Sequence, residues 1–295
     1  MIDPTTLIGA GLTAFASKEI LTKLLGQTAD YIGGEIKNLV EKCNVNIGDI
    51  FIKAYRKLGT RVEEPGTVNP RVLKSVFDEG RFCEDDLVKE YFAGVLASSR
   101  TSDGKDDRGV TNSKLISNLS SFQIRTHYIF YTMLRKAFMP HRPVISPGTD
   151  RRMMFIYIPT ETYFSMMGIL DDYPHHNERI NILSHSMNGI RRNDLIEDNF
   201  TYGGKELFEL DMIKYRFPEY PLHEAILCDH GITFQPTPGG MELYLWANGL
   251  GRYTHFQFLD ENIQVEVVQD IVFPEKIEIL YEVFIKSLYL YAKKV

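Results

Sequence analysis

Cysteine is scarce in this chain of 295 residues: there are three, Cys43, Cys83 and Cys228, far apart and without a Cys-x-x-Cys pair. That excludes a disulfide framework and a zinc knuckle, and fits a reducing cytoplasm. Long apolar runs are also missing. The longest nearly uncharged stretch near the N-terminus, Pro4 to Ser17, ends at Lys18-Glu19 and is shorter than the ~20 residues a spanning helix needs. We therefore expect no transmembrane helix, and Met1-Ile2-Asp3-Pro4 lacks the basic start of a secretory leader. Positive charge is not in excess: 33 Lys and Arg against 39 Asp and Glu give −6, which disfavours a generic nucleic-acid coat and leaves room for a local basic patch. A phosphate loop is absent too. Gly203-Gly204-Lys205 and Pro238-Gly239-Gly240 are too short, and neither ends in Gly-Lys-Ser/Thr.

What is present is ordinary globular material, 44% hydrophobic and 24% charged, enough for two domains. From Leu7 to Leu58 apolar residues recur at helical spacing, with small residues (Gly9, Ala10, Gly11, Ala14) that permit close helix packing or an amphipathic contact with lipid. Asn69-Pro70 opens a helix, and Glu84-Asp85-Asp86 forms the acidic first turn of another that carries Leu87, Tyr91, Phe92 and Val95. Ser98 to Ser113 is polar and without period, so it reads as an exposed loop. Helices follow over Leu115–Phe122 and Ile124–Phe138, and Pro140, Pro143 and Pro147-Gly148 mark a domain boundary.

Beyond it the pattern is mixed. Met153–Ile158 predicts a strand, Thr160–Leu170 and the segment from Asn177 predict helices, and Leu195-Ile196 leads to Phe200–Gly204 as in a winged-helix unit. Leu222–Cys228 predicts a helix, Gly231–Phe234 a strand, Met241–Asn248 a helix, Tyr253–Val268 one or two strands, and Pro274 opens a terminal helix. The expected fold is α+β and predominantly α-helical: an N-terminal helical region over 1–140, then a smaller mixed winged-helix-like domain over 150–295.

Charge is uneven. Arg108 to Arg152 holds eight cations against Asp150 alone, whereas Asp260 to Glu282 holds seven acids against Lys276. Two such stretches can pair with each other, or the basic one can meet nucleic acid or anionic lipid. Catalytic patterns are poor. Adjacent His175-His176 with Glu178 lacks metal-ligand spacing, Asp229-His230 are neighbours that rarely face each other, and Ser184-His185-Ser186 lacks a nucleophile elbow. No cofactor or metal is expected, nor catalysis.

Several pieces nevertheless occur in a familiar order. Asn44 to Leu58 follows glycine-bearing helices; Glu84-Asp85-Asp86-Leu87 precedes Phe92-Ala93-Gly94-Val95-Leu96-Ala97; Leu119-Ser120 ends the next helix; Leu195-Ile196 and Thr237-Pro238-x-Gly240 come later. Over roughly 32–249 this resembles the Abi-alpha proteins, a bacterial family associated with abortive infection, with Phe92 where the family usually has Trp. The resemblance implies a cytoplasmic antiphage protein that works by interaction with a second defence component, a phage factor, another copy of itself or a membrane surface. On that reading Gly9, Gly11, Leu12 and Phe15 would meet membrane or partner, and Arg125, Arg135, Lys136, Arg151 and Arg152 an anionic partner. The alternative is a winged-helix nucleic-acid-binding regulator using Asn188, Arg191 and Arg192.

Overall fold

A computed structural model describes residues 18–26, 45–140, 145, 154, 156–196, 201–204, 230–265, 268–275 and 278–279. The protein is mostly helical with small antiparallel sheets. In chain order the elements are α1 (Lys18–Leu25), α2 (Val45–Leu58), a 3-10 turn (Gly59–Glu63), β1 (Thr67–Val68), α3 (Pro70–Gly80), α4 (Asp86–Ser98), β2 (Arg100–Thr101), α5 (Gly109–Ser117) and α6 (Ser121–Phe138). Then come β3 (Ile156–Pro159), α7 (Thr160–Met167), α8 (His176–Arg192), β4 (Thr201–Gly204), β5 (His230–Phe234), α9 (Pro238–Ala247), a 3-10 turn (His255–Gln257) and β6 (Glu278–Ile279). Two compact units result: one of residues 1–124 and 242–254, the other of 125–241 and 255–295. The partition differs from the one expected at Pro140–Gly148. Chain length and proline breaks do not reveal that 242–254 returns to the first unit.

The first unit is built around α4. Leu87, Val88, Tyr91, Phe92, Ala93, Val95, Leu96 and Ala97 are all buried, so this helix has almost no water-facing side. Its start is set by Asp85, whose side chain accepts from the Val88 N–H at 2.9 Å, so the acidic triplet is a cap. Asn69 does the same for α3, accepting from Arg71 N, with Pro70 in the first turn. Gly94 is required: a Cβ there would lie 2.0 Å from the Ala247 carbonyl oxygen. Ser98 completes that contact, donating to Trp246 O at 3.1 Å and accepting from Gly251 N at 2.9 Å.

Ser98–Ser113 is the exposed loop expected of it only in its middle, where Ser102, Asp103, Lys105 and Arg108 are exposed. Ser98, Ser99 and Ser113 are buried, Arg100-Thr101 pairs with Thr67-Val68, and α5 begins at Gly109. Small polar side chains satisfied by backbone carbonyls fill this region: Ser99 Oγ donates to Val95 O and Ser113 Oγ to Gly109 O, both at 2.8 Å. Arg100 works similarly at larger reach, donating to the carbonyls of Lys23, Arg61, Val62 and Glu64.

In the second unit a four-stranded antiparallel sheet has the order β4-β5-β3-β6. Phe234 of β5 stacks on Phe130 of α6 at 4.0 Å between ring centroids, which fastens sheet to helix. Thr126 and Tyr163 share a buried hydroxyl hydrogen bond of 2.7 Å, joining α6 to α7. Phe164 meets α8, with His176 edge-on at 6.4 Å and the Arg179 guanidinium 5.4 Å above its ring. Leu183, Met187 and Ile190 carry the buried face of α8.

Two expectations fail here. No strand forms in the described part of Tyr253–Val268, because side chains of α6 take the groups a neighbouring strand would take. Arg135 donates to the carbonyls of Phe258, Asp260 and Ile263, and Tyr128 Oη accepts from Val268 N at 2.8 Å. Glu278-Ile279, expected inside a terminal helix, instead pairs with Tyr157 and Ile156 of β3. The helix expected over Leu222–Cys228 lies outside the described residues.

Candidate functional site

Three arrangements hold the polar residues that sequence alone singles out, together with several it overlooks. The first is a buried charge network between α2 and α4. The Glu90 carboxylate receives Lys57 at 2.7 Å, Arg56 at 2.7 Å and Lys53 at 2.9 Å, while Lys53 also reaches Asp86 at 3.1 Å. Side-chain exposure is 8% for Glu90, 6% for Lys57 and 10% for Lys53. Burial alone would raise the Glu90 carboxyl, but Lys57 and then Lys53 hold it down at about 2. Lys53 shows the converse balance: burial lowers it, and Glu90 together with Asp49 and Asp86 outweighs that and raises it. The group is enclosed by its partners, and its chemistry is that of a fastening.

The second is a knot of backbone and side-chain hydrogen bonds where α6, the end of α8 and the start of α9 meet. Tyr131 Oη donates to Leu195 O at 2.5 Å and accepts from Thr237 N at 3.1 Å. Thr237 Oγ1 donates to Asp194 O at 2.6 Å and accepts from Gly240 N at 3.0 Å. His127, fully buried, sets its Nε2 3.0 Å from Gly240 O; a carbonyl only accepts, so Nε2 carries the proton. Burial pushes this imidazole down to about 3, and the Gly240 contact offsets only part of that. Gly240 has no room for a side chain, since a Cβ would lie 1.9 Å from Tyr131 Oη and 2.3 Å from Leu195 O. Leu195-Ile196 and Thr237-Pro238-x-Gly240, far apart in sequence, are therefore two sides of one packing joint.

The third is the surface of α6 and α8. Of the expected anionic-partner contacts, Arg135 is corrected: it is 3% exposed and occupied by three backbone carbonyls, which neutralise its donors inside the unit. Arg125 pairs with Asp270 at 2.8 Å and donates to Met166 O at 3.1 Å. Lys136 is exposed and stands 4.8 Å from the centre of the Phe273 ring. These three basic side chains thus meet residues of 258–273, mostly through carbonyls, one carboxylate and one ring, as the opposite charges of the two stretches allow. Arg151 and Arg152, like Gly9, Gly11, Leu12 and Phe15, lie outside the described residues.

On α8, Asn188 and Arg191 are half-buried and Arg192 exposed, and Arg191 Nη2 lies 3.5 Å from Asn188 Oδ1. Sequence reading stops at these three. It misses Asn177, Asn181 and Ser184, which stand exposed on the same side and were detectable from their spacing of four and three. His175 and His176 are exposed at the start of the helix, and Ser184 and His185 face outward whereas Ser186 is buried. Among the described residues no three His, Cys, Asp or Glu side chains converge as metal ligands. No described helix is long and apolar enough to cross a membrane.

Comparison of the chain with protein-family models, with curated proteins and with solved structures finds no match.

Proposed function

We propose that this chain is a bacterial antiphage-defence protein that acts by binding, with a winged-helix-type module in its second unit. The observation that carries the module is the order of elements. Helix α6, strand β3, helices α7 and α8, then strands β4 and β5 follow one another, and β5 lies between β4 and β3 with antiparallel pairing on both sides. A winged helix has that succession and that strand order, with the second helix of its helix-turn-helix turned outward. The place of α8, with its apolar face inward and its polar face in solvent, fits the outward helix.

The defence reading rests on the ordered likeness to Abi-alpha proteins. Its motif residues support it as parts of a scaffold: Asp85 caps α4, Gly94 admits Ala247, and Tyr131 joins Leu195 to Thr237. A protein of this kind works in the cytoplasm and meets a second defence component, a phage factor or another copy of itself. Its N-terminal segment would add contact with a membrane surface through Gly9, Gly11, Leu12 and Phe15.

Phage challenge of bacteria expressing the chain, alone and with its genomic neighbours, tests the reading. Reduced plaquing is the expected result, and dye entry into infected cells marks action at the membrane. Replacement of Gly11 and Phe15 by Asp with full protection would overturn the membrane contact. Absence of protection in both settings would overturn the defence role and leave a regulator of the same module type.

A further inference from the structure

Many cations of the first unit stand against a carboxylate, as Lys23 does with Glu63, Lys89 with Asp49 and Arg108 with Asp106. Arg61, Arg100 and Arg252 do not: their hydrogen bonds go to carbonyls or to a phenol, and none of them pairs with a carboxylate among the described residues. They are nonetheless neighbours. Arg100 Nη1 donates to Arg61 O at 3.0 Å, and Arg61 Nη2 donates to Lys57 O at 3.2 Å and to Gly249 O at 2.8 Å, three residues before Arg252. Burial, and after it the charge of Arg252, lowers the Arg61 guanidinium from the usual arginine value, and Arg100 adds to the effect. Glu64 offsets part of this through space, with no side-chain bond to any of the three.

Helix ends explain one of these cations and leave the next. Carbonyls at the ends of α2 and α9 favour a positive group, and Arg61 supplies it by taking Lys57 O and Gly249 O through one nitrogen. Its Nε and Nη1 carry no hydrogen bond to a described residue. Arg252 takes no carbonyl: its guanidinium lies 4.8 Å from the centre of the Tyr253 ring, and Nη2 donates to Tyr253 Oη at 2.8 Å. The loop that carries it is fixed. Gly249 adopts φ +75°, Leu250 N donates to Leu245 O and Tyr253 N to Leu250 O, both at 2.9 Å, and a Cβ on Gly251 would lie 2.6 Å from that of Ser98. In a chain of net charge −6, composition does not force two guanidiniums together. Held by a fixed loop, they repel each other until an anion lies between them.

The donors left open describe that anion. Arg252 is exposed and Arg61 half-buried, and Tyr253 Oη, which accepts from Arg252, still has its own proton to give. A carboxylate brings one charge and two oxygens. A phosphoryl group brings up to two charges and three outer oxygens, and guanidinium forks fit its oxygen pairs. We infer that Arg61, Arg252 and Tyr253 form a site for a phosphoryl group on the first unit, with Arg100 adding its charge from beside Arg61. A soluble phosphate compound and a phospholipid headgroup present the same group, and the test separates them. All of these residues belong to the first unit, so the inference stands apart from the winged-helix-type reading of the second.

The test is calorimetric titration of the full chain with inorganic diphosphate at low salt, beside sedimentation with phosphatidylcholine vesicles that contain or lack phosphatidic acid. One diphosphate per chain should bind with a Kd of about 1 mM or tighter, and added salt should weaken it. R252Q, at an exposed site outside any helix, should weaken binding about tenfold or more while circular dichroism stays native. Y253F keeps the ring, loses the hydroxyl and should weaken binding about threefold or more. K114Q removes the same charge from an exposed lysine of α5 and should bind as wild type does. Sedimentation with phosphatidic acid that R252Q abolishes, without diphosphate binding, assigns the group to a lipid; diphosphate binding without sedimentation assigns it to a soluble compound. No binding of diphosphate at about 10 mM, together with none of phosphatidic acid vesicles, would overturn the inference. So would binding that R252Q leaves unchanged, or malonate bound as tightly as diphosphate.

Discussion

Replacing Glu90 by glutamine strikes the one buried carboxylate that three cations share. The variant keeps the size of the side chain but takes the carboxylate from Lys57, 6% exposed, and leaves Lys53, 10% exposed, with Asp86 at 3.1 Å and Asp49 at 4.0 Å as its remaining carboxylates. Removing one partner of a buried ion pair costs about 3–5 kcal/mol, because the remaining charge stays desolvated. With a urea dependence of about 2 kcal/mol per molar, the midpoint of the first unit should fall by roughly 1.5 M or more. The acid limb gives an independent check. Glu90 titrates at about 2 in the fold against 4.5 without its partners, so its contribution is complete above pH 4.5 and is lost as pH falls toward 2. That difference is worth roughly 3 kcal/mol, and E90Q should remove it from the pH profile. Urea unfolding followed by circular dichroism across that pH range measures both. A midpoint shift under about 0.3 M, or an unchanged acid limb in E90Q, would refute the reasoning.

His127 is neutral and buried, its folded value about 3 lying below the ordinary 6.5, so its contribution is full above pH 6.5 and declines as pH falls toward 3. Imidazole resonances should show no protonation near pH 5, and titration near 6.5 would contradict the burial. Gly240→Ala and Gly94→Ala put a methyl against backbone carbonyls and should each cost about 3 kcal/mol. Gly48→Ala, inside α2 with open space around it, should instead stabilise by about 0.5–1 kcal/mol, and thermal melts that rank the three otherwise would be decisive. Arg135→Ala removes the donors that three carbonyls share and should cost about 3 kcal/mol, with new protease cleavage between residues 255 and 265. An unchanged digest would contradict the clamp.

Local signals carried well from sequence to structure. Asn69-Pro70 and Glu84-Asp85-Asp86 mark helix starts that the chain announces in two or three residues, and the short run Gly231–Phe234 and the apolar run ending at Ile158 form paired strands. The failures share a cause at long range. Tyr253–Val268 alternates like a strand, yet Arg135 and Tyr128, more than a hundred residues earlier, take its backbone groups. Ser98–Ser113 looks soluble because its side chains are polar, yet each buried serine finds a carbonyl within its own turn or across to Trp246. Basic residues mislead in the same way: a guanidinium that reads as a partner contact is equally suited to gather main-chain oxygens, as Arg100 and Arg135 do. Of the candidate site, Asn188, Arg191 and Arg192 were visible from the sequence. The spacing of Asn177, Asn181 and Ser184 was legible too, and the structure adds that their side of α8 is the exposed one.

The most direct measurement of the proposed role is phage plating on cells that express the chain, alone and with its genomic neighbours, beside empty cells. The account predicts reduced plaquing with the chain. Plaquing equal to that of empty cells in both settings would contradict it.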